Sequence, residues 1–110
     1  MDSCLFCQIT AGKQECRKVI ETSQLVGFHD TNPKAPVHVL IVPKRHVERP
    51  EELRVEELED IFKQSEEVAQ ILGIKDSGYR LIFNVGSHAG QTIDHVHLHL
   101  LGGAPANVLY

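Results

Sequence analysis

Apolar and polar residues recur along this chain with two periods, and the switches between them mark its elements. Residues 55–72 carry the long period. Leu58, Ile61, Phe62, Val68, Ala69 and Leu72 return at helical spacing, while Glu56, Glu57, Glu59, Asp60, Lys63, Gln64, Glu66 and Glu67 fill the other face. Gly73 follows, a residue suited to ending a helix. Short apolar runs at 18–21, 25–29, 37–42, 80–85 and 94–101 read as strands. The run at 37–42 is almost continuously apolar and stops at Pro43, which predicts a central strand buried on both faces. His38 interrupts it, either as a satisfied core histidine or as a side chain facing a site. A short helix is expected over 6–10, with Ser3 as its cap. Asp30-Thr31-Asn32-Pro33 is a turn, because Asn before Pro is pushed off the helical region. The order is not a regular βαβ alternation. It predicts an α+β fold with an antiparallel sheet of about five strands, one long helix on one face and a short N-terminal helix.

Composition narrows the classes. A chain of 110 residues with 42% hydrophobic content suits one domain over 1–110 with one packed core. The net charge is −4 with no long basic run, so binding to a nucleic acid backbone is not expected. No stretch approaches the ~20 apolar residues of a membrane span. The N-terminus lacks the charged and apolar regions of a signal peptide, which makes the cytoplasm the expected location and a membrane an unexpected partner. The three cysteines, Cys4, Cys7 and Cys16, are an odd count and do not suggest a disulfide framework.

Histidine changes the picture. Of seven in the chain, His88, His95, His97 and His99 fall within twelve positions. Side chains alternate between faces of a strand, so His95, His97 and His99 should share one face, spaced about 6.7 Å apart. Val96, Leu98 and Leu100 would pack on the other. Three aligned imidazoles suit metal binding, or nucleophilic and acid–base work at phosphorus.

The run His95-Val96-His97-Leu98-His99-Leu100-Leu101 resembles the signature of the histidine triad (HIT) family. Phe28-His29-Asp30, Ala35-Pro36-Val37-His38, Ile41-Val42-Pro43-Lys44-Arg45-His46, Gly78-Tyr79-Arg80, Asn84-Val85-Gly86 and Gly90-Gln91-Thr92 extend the likeness over nearly the whole chain. It is most similar to the branch that hydrolyses purine nucleoside phosphoramidates, and Gly102-Gly103 after the triad favours that branch. The resemblance implies a HIT-like fold and a homodimer joining two sheets. It implies an enzyme whose His97 takes the nucleotidyl group as a covalent intermediate, with His99, His95 and His38 completing the catalytic set. Asp30 would accept from ribose hydroxyls. Asn84, Gly90, Gln91 and Thr92 would surround the phosphate, and Phe6, Ile9, Phe28, His29 and Leu40 would wall the base. The expected partner is thus a purine nucleotide or nucleoside phosphoramidate. Dinucleoside polyphosphate hydrolysis, nucleotidyl transfer, and a regulatory nucleotide-binding module stay open. The tail, residues 104–110, departs from the longer aromatic tails of better-known relatives, which leaves substrate choice open too.

Cys4-Leu5-Phe6-Cys7 is a C-x2-C pair, the spacing of two thiolates on one zinc. No second pair is present. Bacterial family members resembling this chain complete the site with histidines, which here correspond to His46 and His95. That implies one structural zinc per chain, held by Cys4, Cys7, His46 and His95 and not required for the chemistry. Two unliganded thiols beside Phe6 are the alternative. A redox dithiol is a third, though no thioredoxin-like pattern surrounds the pair.

Overall fold

A computed structural model describes residues 3–106. Met1, Asp2 and residues 107–110 of the tail lie outside them. The order is α1 (Leu5–Thr10), β1 (Lys18–Glu21), β2 (Leu25–His29), β3 (Val37–Pro43), α2 (Val55–Ile71), β4 (Tyr79–Phe83) and β5 (Leu98–Gly102), with 3-10 turns at Pro50–Glu52 and Ser87–Ala89. All strand pairs are antiparallel in one five-stranded sheet of order β1-β2-β3-β5-β4. The last strand thus enters between β3 and β4. The expected α+β fold is what forms.

The sheet separates two apolar clusters. Leu25, Val39, Ile41, Leu98 and Leu100 pack beneath α2 with Ile61, Val68 and Ala69. On the opposite face Val26, Phe28, Leu40 and Val42 meet Phe6 of α1. β3 supplies both sets through strand alternation, so it is buried on both faces, as its run of apolar residues predicts.

Several expectations need correction. The helical face of α2 is set by Ile61, Ser65, Val68 and Ala69, which are buried, whereas Phe62 is 54% exposed. Phe62 lies one step of about 100° around the helix from Ile61, off the stripe that meets the sheet. Second, α1 is capped by Cys4, not Ser3. The Cys4 Sγ accepts from the Cys7 N–H at 3.5 Å, and the helix starts at Leu5. Third, β5 begins at Leu98, so His95 and His97 precede the ladder. Ile41 pairs with Leu98, and extending that register two more rungs would set Pro43, which has no N–H to give, opposite Val96. The Val96 N–H bonds instead to the Val47 carbonyl at 2.7 Å. β4, expected over 80–85, stops at Phe83 opposite Leu98, because its partner strand begins there.

Glu57 also differs from its expected place on the polar face of α2. It is 3% exposed. One carboxylate oxygen accepts from the Arg54 N–H (2.7 Å) and from Arg45 Nη2 (2.7 Å), and the other from Arg45 Nε (3.2 Å). It therefore satisfies the start of α2 and ties it to the segment after β3. The hydrogen-bonded Arg45 guanidinium holds its pKa below the usual carboxylate range, with burial opposing. A depressed folded pKa stabilises above the unfolded value, about 4.3, and that contribution is lost as pH falls through the folded one. Glu57→Gln should lower Tm by about 5 °C near neutral pH. The gap from wild type should hold down to about pH 5 and close in stronger acid. Thermal melts across pH check this, and a gap independent of pH would exclude the ion pair as its source.

Candidate active site

The cavity that matters lies on the sheet face away from α2. It has a volume of about 460 Å³ and opens between α1, the turn after β2 and the loop before β5. One end is apolar, walled by Leu5, Phe6, Ile9, Phe28, Leu40 and Ile93; His97, His99, Asp30, Asn84, Gly90 and Thr92 bring polar groups to the same cavity. Of the sequence-predicted residues, Phe6, Ile9, Phe28, His29, Asp30, Leu40, Asn84, Gly90, Thr92, His97 and His99 therefore line one space.

The register explains the histidine placement. Leu40 stands opposite His99, and His38 opposite Leu101, on adjacent strands. His38 and His99 thus sit diagonally on one face, within reach of each other. His38 Nε2 is 2.9 Å from His99 Nδ1. The Lys34 N–H donates to His38 Nδ1 at 3.0 Å, so that nitrogen carries no proton. The His38 proton is then on Nε2, donated to His99 Nδ1, and the His99 proton is on its own Nε2. Asp30 Oδ2 lies 3.4 Å from His38 Nε2, while Oδ1 accepts from the Asn32 N–H at 2.9 Å in an Asx turn. Asp30 is therefore both a turn carboxylate and a cavity group.

His97 is fixed by a shorter loop. Its Nδ1 lies 2.8 Å from the His95 carbonyl, which can only accept. Nδ1 is the donor, and Nε2 keeps a lone pair. Its ring stands edge-on to Phe6 and His99, each with centroids 5.0 Å away. Burial pushes the His97 pKa below the usual histidine value, with the His95 carbonyl opposing. Burial thus favours the neutral ring, the state a nitrogen nucleophile needs.

His95 is turned elsewhere. It is fully buried and does not line the cavity. Its Nε2 donates to the Pro43 carbonyl at 2.8 Å, leaving the Nδ1 lone pair 3.4 Å from Cys4 Sγ and 3.5 Å from Cys7 Sγ. His46 Nδ1 lies 3.2 Å from Cys7 Sγ. These four ligand atoms lie within 4.8 Å of one another. Zinc–sulfur bonds of about 2.3 Å and zinc–nitrogen bonds of about 2.0 Å in a tetrahedron set sulfur–nitrogen separations of about 3.5 Å. The observed spacing fits, and the Pro43 carbonyl is the kind of outer partner that orients a metal-bound imidazole. A second close group, Asp30, His38 and His99, does not fit as it stands. The Lys34 N–H leaves the proton of His38 on the nitrogen that points to His99, where a metal needs a lone pair.

Two expected phosphate contacts take other forms. Gln91 does not line the cavity. Its side-chain oxygen accepts from the Gly86 N–H, and its amide donates to the Glu48 and Ile93 carbonyls, so it laces the loop together. The N–H groups of Ala89, Gly90 and Gln91 also close on carbonyls within that loop. Gly90 sits at φ +84°, a left-handed conformation that a side chain would strain. Sequence reasoning missed Lys34, whose backbone sets the His38 tautomer, and the Pro43 carbonyl that orients His95. The turn signal at Asn32-Pro33 pointed near the first. Nothing local marks the second.

Comparison with known proteins agrees with this geometry. Residues 11–106 match the model of the HIT domain family. A HIT-like protein of Helicobacter pylori is 38% identical over 99 residues, covering 90% of this chain and 95% of that protein. The crystal structure of a HIT family hydrolase from Legionella pneumophila superposes with a TM-score of 0.89 at 40% identity, covering 94% and 95% of the two chains. A histidine triad nucleotide-binding protein from Candida albicans gives 0.85 at 34% identity, covering 98% and 87%. A mixed sheet-and-helix domain with a buried imidazole series beside an apolar-ended cavity is thus the histidine-triad class. The chain belongs to the HIT family.

Burial holds the His99 pKa down to about 4, with His97 and His38 adding to the effect, and burial also lowers that of His38. Folded values below the unfolded one, about 6.5, mean that the unfolded chain takes up protons first. Stability should be flat above about pH 7 and fall progressively below about 6.5. His99→Gln, which cannot titrate, should show a shallower acid slope in Tm; an unchanged slope would remove this pair as its cause.

Proposed function

We propose that the protein hydrolyses purine nucleoside phosphoramidates through a nucleotidyl intermediate on His97. The observation that carries this reading is the tautomer of His97: its Nδ1 is committed to the His95 carbonyl, and Nε2 keeps its lone pair beside the cavity. In the first step that lone pair attacks the α-phosphorus as the phosphorus–nitrogen bond breaks, and the departing amine takes up a proton. In the second, water attacks phosphorus, the bond to His97 breaks and the nucleotide leaves. His99, with its proton on Nε2, donates to phosphate oxygens or the leaving nitrogen, and His38 fixes that tautomer. Asp30 takes the ribose hydroxyls. Phe6, Ile9, Phe28, His29 and Leu40 wall the base. Asn84, Gly90 and Thr92 flank the phosphate, and Gln91 acts by holding their loop.

The Cys4, Cys7, His46 and His95 set suits one zinc, which would cross-link the fold without entering the chemistry. None of the three cysteines is in a disulfide, which suits a reducing compartment and supports the cytoplasm. Among the described residues no helix is long and apolar enough to cross a membrane. A homodimer through β4 is supported by its place at the sheet edge and by Leu81, partly exposed there at 36%.

His97→Ala should reduce adenosine phosphoramidate turnover at least ~1,000-fold while AMP binding changes little, since nucleophile and binding wall are separate groups. Wild-type turnover by the folded variant would end the nucleophile assignment. A panel adding diadenosine polyphosphates tests the substrate class: faster cleavage of those compounds would move the protein to the sibling activity. For the metal, protein purified without chelators should carry about one zinc per chain, and Cys7→Ser should lose most of it. Elemental analysis reads both, and a zinc-free wild type would discard the site.

A further inference from the structure

The Cys–His cluster lies beside the cavity and shares segments with it. α1 has six residues, and a helix so short does not hold itself together in water. Cys4 caps it and Cys7 sits in its first turn. Between them Phe6 is buried, with ring centroids 5.9 Å from Phe28, 5.9 Å from His95 and 5.0 Å from His97. Leu5, Phe6 and Ile9 of this helix line the cavity. The other half of the cluster reaches the nucleophile, since the carbonyl that orients His97 belongs to His95.

We infer that Cys4, Cys7, His46 and His95 are positioning residues, and that a metal held by them docks the α1 wall and the His97 carbonyl partner together, so that metal occupancy sets nucleotide affinity. The inference rests on the nucleotide reading of the cavity. Its physical basis is a cross-link between segments distant in sequence. Cys4 meets His95 across 91 positions, and Cys7 meets His46 across 39. Without a metal, these segments are joined at the cluster by thiol–imidazole contacts of 3.2–3.5 Å, which are weak. Phe6 is then the buried side chain that anchors α1, with Ile9 packed against the same apolar cluster. A wall docked only part of the time lowers apparent affinity in proportion to that fraction. The effect falls first on nucleotide binding, because α1 forms the apolar end of the cavity. It falls second on the chemical step, through the segment before β5 that carries the His95 carbonyl.

The test compares zinc-loaded wild type, chelator-stripped wild type and the same protein reloaded with Zn²⁺. AMP affinity is read by calorimetry, and amide exchange is read over residues 5–10 and over the sheet. Stripping should weaken AMP binding on the order of tenfold and speed exchange in residues 5–10 by a similar factor, with the sheet amides protected as before and both changes reversed by Zn²⁺. Cys4→Ser, which keeps three of the four ligands, should shift both readouts the same way in a chain that is never stripped. Equal AMP affinity and equal α1 exchange in loaded and stripped protein would overturn the inference, as would a wild type that takes up no Zn²⁺. A loaded wild type that fails to bind AMP would instead overturn the nucleotide reading on which it rests.

Discussion

His95 is the residue on which the rest of the site depends. It is completely buried, and all three of its polar groups outside the N–H are committed. Nε2 donates to the Pro43 carbonyl, Nδ1 faces two thiols, and the carbonyl accepts from His97. A buried imidazole without partners would be costly, and here each partner also assigns a tautomer. The proton on Nε2 of His95 frees Nδ1 for a metal. The proton on Nδ1 of His97 leaves the lone pair of Nε2 beside the cavity. Two neighbouring histidines of the same motif, both against the Phe6 ring, are thereby given opposite tautomers and different partners.

The sheet order makes this possible. Because β5 runs between β3 and β4, His99 is delivered beside His38, and the segment before β5 is delivered to the end of β3. Pro43 ends that ladder by lacking an N–H, yet offers its carbonyl to His95. One residue thus stops a strand and orients an imidazole. The two apolar clusters on either side of the sheet bury β3 and β5, so close packing sets where their histidines stand.

Neutrality is the second theme. Burial lowers the pKa of His38, His95, His97 and His99 alike. Four adjoining imidazoles can be packed closely only if few are charged, since like charges at these separations repel strongly in a poorly solvated site. The cost is carried by backbone acceptors and donors: Pro43, His95 and Lys34 each supply one. The same arrangement holds protons at defined atoms.

Much of this was legible in the sequence. The periodicity of residues 55–72 and the apolar run at 37–42 identified α2 and a doubly buried strand, and of the three histidines that alternation assigned to one face, His97 and His99 line the cavity while His95 meets the two cysteines. These follow from local rules, because helix and strand periods are properties of consecutive residues. The family likeness added the cavity residues and the four-residue Cys–His set. What the sequence could not contain was the partner of each group. That Glu57 turns inward to Arg45, that Gln91 laces a loop, that Ser3 gives way to Cys4 as the cap, and that His95 leaves its fellow histidines for two thiols were all decided by contacts distant in the chain. The physical reason is the same throughout. Residue type fixes what a group can donate or accept, but only tertiary structure fixes which donor or acceptor stands opposite it.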